Sequence, residues 1–178
     1  MKSSHGSTVR LATLLVAISA LWAMAAPGVQ AKPPERDVIH GSPIFVPAGE
    51  GCAFDVVEIP DPGAHVRITY FSDGRERSIA HADVRIINVD TGATFYHRAR
   101  FNSTDVYIAA TNQFRSVIDG TVWITFWPGD QGPFGTVGTN GAMYRFTGHV
   151  ELLVEADTLV YTSFKSSGRV QDVCAALS

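Results

Sequence analysis

The chain has 178 residues, 17% of them charged and 46% apolar, against roughly 25% charged in an average soluble protein, so disorder of the main body is excluded. The formal net charge of −3 offers no basic face for phosphate, which argues against nucleic acid as the partner.

The first element is a secretion leader. Lys2 and Arg10 flank a polar start, an almost purely apolar run follows over residues 11–26, and Pro27 ends it ahead of Val29-Gln30-Ala31. That order of segments predicts a signal peptide over residues 1–31 with a helical apolar segment, cleaved after Ala31. The apolar run is shorter than the roughly 20 residues a membrane anchor needs, so no stable span is expected after cleavage. Cleavage leaves 147 residues, a single-domain length, and removing Lys2 and Arg10 leaves 12 of the 14 basic residues against all 17 acidic ones, a net charge of about −5. Residues 32–50, with Lys32-Pro33-Pro34-Glu35-Arg36-Asp37 at their head, read as a flexible N-terminal tail, and residues 51–178 as one domain.

Cys52 and Cys174 stand near opposite ends of that domain, without CxxC spacing and without a neighbouring group that would make either reactive. In an oxidising compartment they are expected to form one structural disulfide.

Between them lie short runs of β-branched and aromatic residues separated by turn clusters. Strands are expected over residues 53–59, closed by Pro60-Asp61-Pro62-Gly63, and over 65–71, where Val66, Ile68 and Tyr70 share a face ahead of Ser72-Asp73-Gly74. Further runs cover 79–81 into 84–89, then 93–101 and 105–110, with Asp90-Thr91-Gly92 at hairpin spacing. Asp119-Gly120 precedes a run over 121–127, and the last two runs cover 143–154 and 158–164; a helical period shows only weakly near 170–177. About eight strands with short connections and no crossover helices imply an all-β antiparallel fold. An up-and-down β-barrel is the first reading, because closure removes exposed edges, and a two-sheet β-sandwich is the alternative.

Residues 129–141 carry glycine at every third place and exceed an ordinary hairpin loop. They are expected to be a long connection whose Pro133 and Phe134 contact a ligand. The run 121–127 is apolar on both faces, Val122, Ile124 and Phe126 on one and Trp123 and Trp127 on the other, as in a strand buried on both sides or lining a cavity. Alternation places His97 with Phe95, Ala99 and Phe101 on an inward face, and His149 on an outward one. The expected ligand-binding set is therefore His97, Phe95, Phe101, Trp123, Trp127, Phe134 and Tyr144. No HxH or HExxH spacing, GxSxG elbow or phosphate-binding loop occurs, so no metal, cofactor or catalytic residue is assigned. The carboxylates Asp55, Glu58, Asp83, Asp105, Glu151 and Glu155 occur singly and read as solvated outer positions, while Asn102-Ser103-Thr104 matches the glycosylation pattern.

The leader, Gly51-Cys52-Ala53-Phe54-Asp55-Val56, the strand ending in Asn88-Val89-Asp90-Thr91-Gly92, and Pro128-Gly129-Asp130-Gln131-Gly132-Pro133 before a glycine-rich hairpin together resemble uncharacterised secreted β-barrel proteins of high-GC Gram-positive bacteria. The resemblance covers most of residues 52–164 and implies an exported barrel, with no catalytic residue to carry over. A looser architectural similarity to lipocalin-like and allene-oxide-cyclase-like barrels implies a ligand cavity by analogy of fold. The expected function is a non-enzymatic module binding a small apolar ligand or a cell-envelope component. The alternatives are a barrel isomerase or cyclase acting on a lipid-like substrate through inward groups such as His97 or Tyr144, and a structural or protein-interaction module marked by Trp123 or Trp127 on the outer wall.

Overall fold

The computed structural model describes residues 34–178; the leader expected over residues 1–31 lies outside them. The strands are β1 (Glu35–His40), β2 (Ile44–Val46), β3 (Val56–Pro60), β4 (His65–Tyr70), β5 (Arg75–Asn88), β6 (Thr94–Ile108), β7 (Gln113–Phe126), β8 (Gln131–Gly132), β9 (Gly135–Thr136), β10 (Ala142–Glu155) and β11 (Tyr161–Asp172), followed by a short helix α1 (Val173–Leu177). Nine strands form one antiparallel sheet, ordered β1-β4-β5-β6-β7-β10-β11, with β3 sharing the edge of β5 beside β4 and β2 laid on β3. The fold is therefore all-β and antiparallel.

The observed strands are longer than the hydrophobic runs. The runs at 79–81 and 84–89 belong to one strand, β5, and those at 93–101 and 105–110 largely to one strand, β6. The expected tail also differs: residues 35–40 pair with β4 in a six-residue ladder, and residues 44–46 pair with β3. Five of the six side chains of β1 are exposed, so backbone hydrogen bonding alone holds a strand that no apolar pattern announces. Likewise β11 continues past the apolar run to Asp172, its polar second half held by the ladder to β10.

Asp119-Gly120 is not a turn but the interior of β7. Gly120 lies directly across from Gly148 of β10, which lies across from Gly168 of β11, with φ of +129°, +133° and +114°. A Cβ on these residues would come within 2.2 Å of the Arg100 carbonyl oxygen, 2.3 Å of that of Ser167 and 2.2 Å of that of Thr147, so only glycine fits. Glycine rows of this kind crease a sheet. Here β7 parts from β6, the last paired residues being Arg100 and Thr121. Beyond the crease both faces of β7 are covered, as its two-faced apolar pattern requires. Val122, Ile124 and Phe126 pack with Phe146, Val150 and Leu152, while Trp123 joins a second cluster of Val46, Cys52, Val84, Ile86, Met143, Val173 and Leu177.

That second cluster is clasped. Cys52 and Cys174 form a disulfide across 122 positions with a Cα–Cα distance of 5.5 Å. Asp172 caps α1 by accepting from Ala175 N at 2.9 Å, and Asn88 Nδ2 donates to Leu177 O at 3.0 Å. The C-terminus is thereby fixed to the start of β3 and the end of β5.

Candidate ligand cavity

Along the inner face of the sheet runs a cavity of about 1120 Å³, somewhat above the usual 300 to 1,000 Å³ of small-molecule sites. Its space follows from the sequence of two neighbouring strands. Inward positions 76, 78, 80 and 82 of β5 are Glu, Ser, Ala and Ala, and across from them on β6 stand Asp105, Ser103, Phe101 and Ala99. Five of these eight are alanine or serine, so the middle of the wall is thin. Ile118, Val122 and Ile124 of β7 with Leu152 and Val154 of β10 supply the apolar opposite side. Ile44, Glu58 and Trp123 line one end; at the other, the cavity reaches the surface at the exposed turn 72–75 between β4 and β5.

Besides the exposed Asp73 at the mouth, three carboxyl groups line this mostly apolar space. Glu58, 4% exposed, accepts from Trp123 Nε1 at 3.1 Å, and burial pushes its pKa from 4.5 to about 7 against that hydrogen bond. Glu76 is likewise raised to about 7, by burial first and then by the charge of Asp105 directly across the ladder, with a Ser78 hydrogen bond opposing. Asp105 is raised by burial, opposed by hydrogen bonds from Ser116 and Ser103, the Ser103 Oγ donating to Oδ2 at 3.1 Å. These groups correct the expectation that Glu58 and Asp105 are solvated. The signal was present in alternation: Glu58 shares the buried face of Val56, and Asp105 that of Ala99, Phe101 and Ser103. Asp83 and Glu151 do stand outside, ion-paired with Arg100 at 2.9 Å and Arg115 at 2.8 Å, and His149 is exposed beside Asp119 at 2.8 Å.

Of the seven expected binding residues, Phe101, Trp123 and Trp127 line the cavity. The other four lie elsewhere. Phe95 packs in the clasped cluster, and Tyr144 packs against Phe126 with ring centroids 6.0 Å apart. Phe134 is 77% exposed and rests on Tyr144 at 5.5 Å. His97 faces inward as alternation requires, but lies behind Trp123, whose ring it meets edge-on at 4.8 Å. Burial first, and then the neighbouring Arg145, lower its pKa from 6.5 to about 4, and neither ring nitrogen has a hydrogen-bond partner. A neutral imidazole behind a tryptophan is a packing residue, not a ligand to the cavity contents. Both tryptophans line the cavity, Trp127 buried and Trp123 half-buried, and neither forms an exposed patch.

The glycine-rich segment is fastened and, contrary to expectation, contributes no lining. It folds into the β8–β9 hairpin, and the fully buried Asp130 at its start accepts from Trp127 N at 2.7 Å and Tyr161 N at 3.1 Å. Gly129 N and Val137 N close it by bonding to Val137 O and Asp130 O. Among the described residues no three His, Cys, Asp or Glu side chains are grouped to hold a metal ion. No helix there is long and apolar enough to cross a membrane.

No family model, curated protein or solved structure matches this chain. The cavity itself carries the functional argument.

Proposed function

We propose that this protein is an exported binding module in which the creased antiparallel sheet rolls into a nearly closed barrel around one small, largely apolar molecule. The observation that carries the reading is the cavity of about 1120 Å³, walled by alanine, valine, isoleucine and aromatic side chains and reaching the surface at the turn 72–75. The disulfide supports an oxidising compartment, and hence export.

Titration with the neutral, environment-sensitive dye Nile red tests it. Saturable binding by the native protein, lost when Ala82→Leu and Ala99→Phe fill the space, is the expected result; unchanged binding in the filled variant refutes the reading. Native mass spectrometry of protein purified from its source should show a bound small molecule.

A second reading is favoured by one specific feature, the carboxyl groups of Glu58 and Glu76, poised to titrate near pH 7 inside an apolar site. It is an isomerase or cyclase using one of them as general acid on a bound lipid-like substrate. Isolation of a bound molecule that leaves native protein unchanged and is equally unchanged by Glu58→Gln and Glu76→Gln protein would exclude it.

A further inference from the structure

We propose that the occupant of the cavity is an elongated amphiphile whose polar end is a protonated amine, seated at the mouth between Glu76 and Asp105. The proposal rests on the cavity reading and adds the chemistry of the ligand's head.

Polarity inside the cavity is one-sided. Its acidic interior groups are the carboxyls of Glu58, Glu76 and Asp105, with the phenols of Tyr70, Tyr107 and Tyr161 also in the lining; the single guanidinium in the lining is that of Arg75 at the mouth, where Asp73 Oδ2 already takes it at 2.7 Å. A ligand carboxylate or phosphate would therefore face carboxyl groups inside, and the one cation of the lining, Arg75, is at the exposed mouth and already shared with Asp73.

Glu76 and Asp105 are direct cross-strand partners on the inner face, a register that brings Cβ atoms to about 5 Å. Two carboxylates so placed repel when both ionise. An ammonium between them removes that repulsion and supplies three donors to oxygens that ionised carboxylates offer only as acceptors. The serines at positions 78, 103 and 116 help hold the two carboxyl groups, as a built site for a donor requires.

A second, independent observation comes from the other end. Glu58, 4% exposed, lines the cavity and, among the described residues, receives its one side-chain hydrogen bond from Trp123 Nε1 on Oε1. Once the group ionises, its other oxygen is an acceptor for a donor that the cavity's contents would supply. Both ends thus present acceptors, and the stretch between them is apolar.

The spacing sets the shape. Glu58 lies across from Ile86, ten positions along β5 from Glu76, which is about 33 Å of strand at about 3.3 Å per residue. A long chain fits that span better than a compact ring system.

The test is displacement of Nile red from the native protein at pH 8 by dodecylamine, dodecyltrimethylammonium, dodecanol and dodecanoate. Dodecylamine should bind about tenfold or more tighter than dodecanol, with dodecanoate weakest, a difference of about 1.4 kcal/mol or more. Glu76→Gln with Asp105→Asn should bring amine and alcohol to within about threefold while leaving dodecanol affinity unchanged, and Glu76→Gln alone should lower the preference part-way. Equal affinity for the primary and quaternary ammonium would assign the preference to charge alone and overturn the hydrogen-bonded seat. Dodecanol or dodecanoate binding as tightly as the amine, or a preference that survives the double substitution, overturns the inference and leaves the cavity reading standing. If neither Nile red nor any of the four probes binds, both fall.

Discussion

Glu58→Gln is expected to make the protein more stable at pH 8 and to leave it nearly unchanged at pH 4.5. Burial holds the Glu58 carboxyl at about 7 against an ordinary 4.5, so the native state binds this proton more tightly than the unfolded chain. For a carboxyl raised on folding, the stabilising contribution is present in full below about pH 4.5 and is lost as pH climbs through about 7. The gap between 4.5 and about 7, at about 1.4 kcal/mol per pH unit, corresponds to about 3 kcal/mol. Glutamine keeps an acceptor for Trp123 Nε1 and never ionises, so the variant escapes the loss. Urea unfolding of both proteins at pH 4.5, 6 and 8 gives the answer. The difference between them should grow from within about 0.5 kcal/mol to about 3 kcal/mol in favour of the variant, with unchanged m-values. Because other titrating groups are common to both proteins, they cancel in that difference. A difference that stays flat with pH, or a variant less stable at pH 8, would refute the assignment of Glu58 as a buried carboxyl held neutral by its surroundings.

Gly148→Ala places a methyl 2.3 Å from the Ser167 carbonyl at a φ of +133° and should cost about 3 kcal/mol or more in thermal or urea unfolding, whereas Gly63→Ala, with open space around it, should stay within about 0.5 kcal/mol. Replacing both Cys52 and Cys174 by alanine releases a closure across 122 positions and should lower stability by about 4 to 5 kcal/mol on the chain-entropy account, read as a drop in urea midpoint that reducing agent reproduces in the native protein. Asp130→Ala strips the acceptor from two backbone amides and should cost about 2 to 4 kcal/mol, with hydrogen exchange accelerated at the Trp127 and Tyr161 amides.

The parts of the fold that were legible in the sequence are those where burial demands apolar side chains. The period-two runs of β4, β7 and β10, the two apolar faces of 121–127 and the pairing of two distant cysteines all reappear in the structure. The runs in β5 and β6 started late, at 79, and broke off over 102–104 because the inner face there carries Glu76, Ser78 and Ser103 beside the carboxyl groups of the cavity. Hydrophobic periodicity lapses where the lining turns small and polar, so the pattern that locates strands grows faint on the carboxyl side of the site, while β7 and β10 on its apolar side keep theirs. The aromatic signal found Phe101, Trp123 and Trp127 but also drew in Phe95, Phe134 and Tyr144, since aromatic residues fill cores as readily as they line cavities. β1 escaped notice for the opposite reason: its side chains bury almost nothing, and ladder hydrogen bonds leave no mark in composition.

The row Gly120, Gly148 and Gly168 carries no side chain on either face of three adjacent strands, so along that line the sheet is joined by backbone alone. It divides the wall into two panels. One ends at the disulfide and α1; the other, formed by the first half of β7, the second half of β10 and the first half of β11, stands toward the mouth. The two panels are folded onto each other across that line: Phe126 of one meets Tyr161 and Phe164 of the other at 5.4 and 5.2 Å, and Asp130 accepts from both Trp127 N and Tyr161 N. The three glycines are accordingly the spine of a closed book, whose facing pages are held together by one shared apolar cluster.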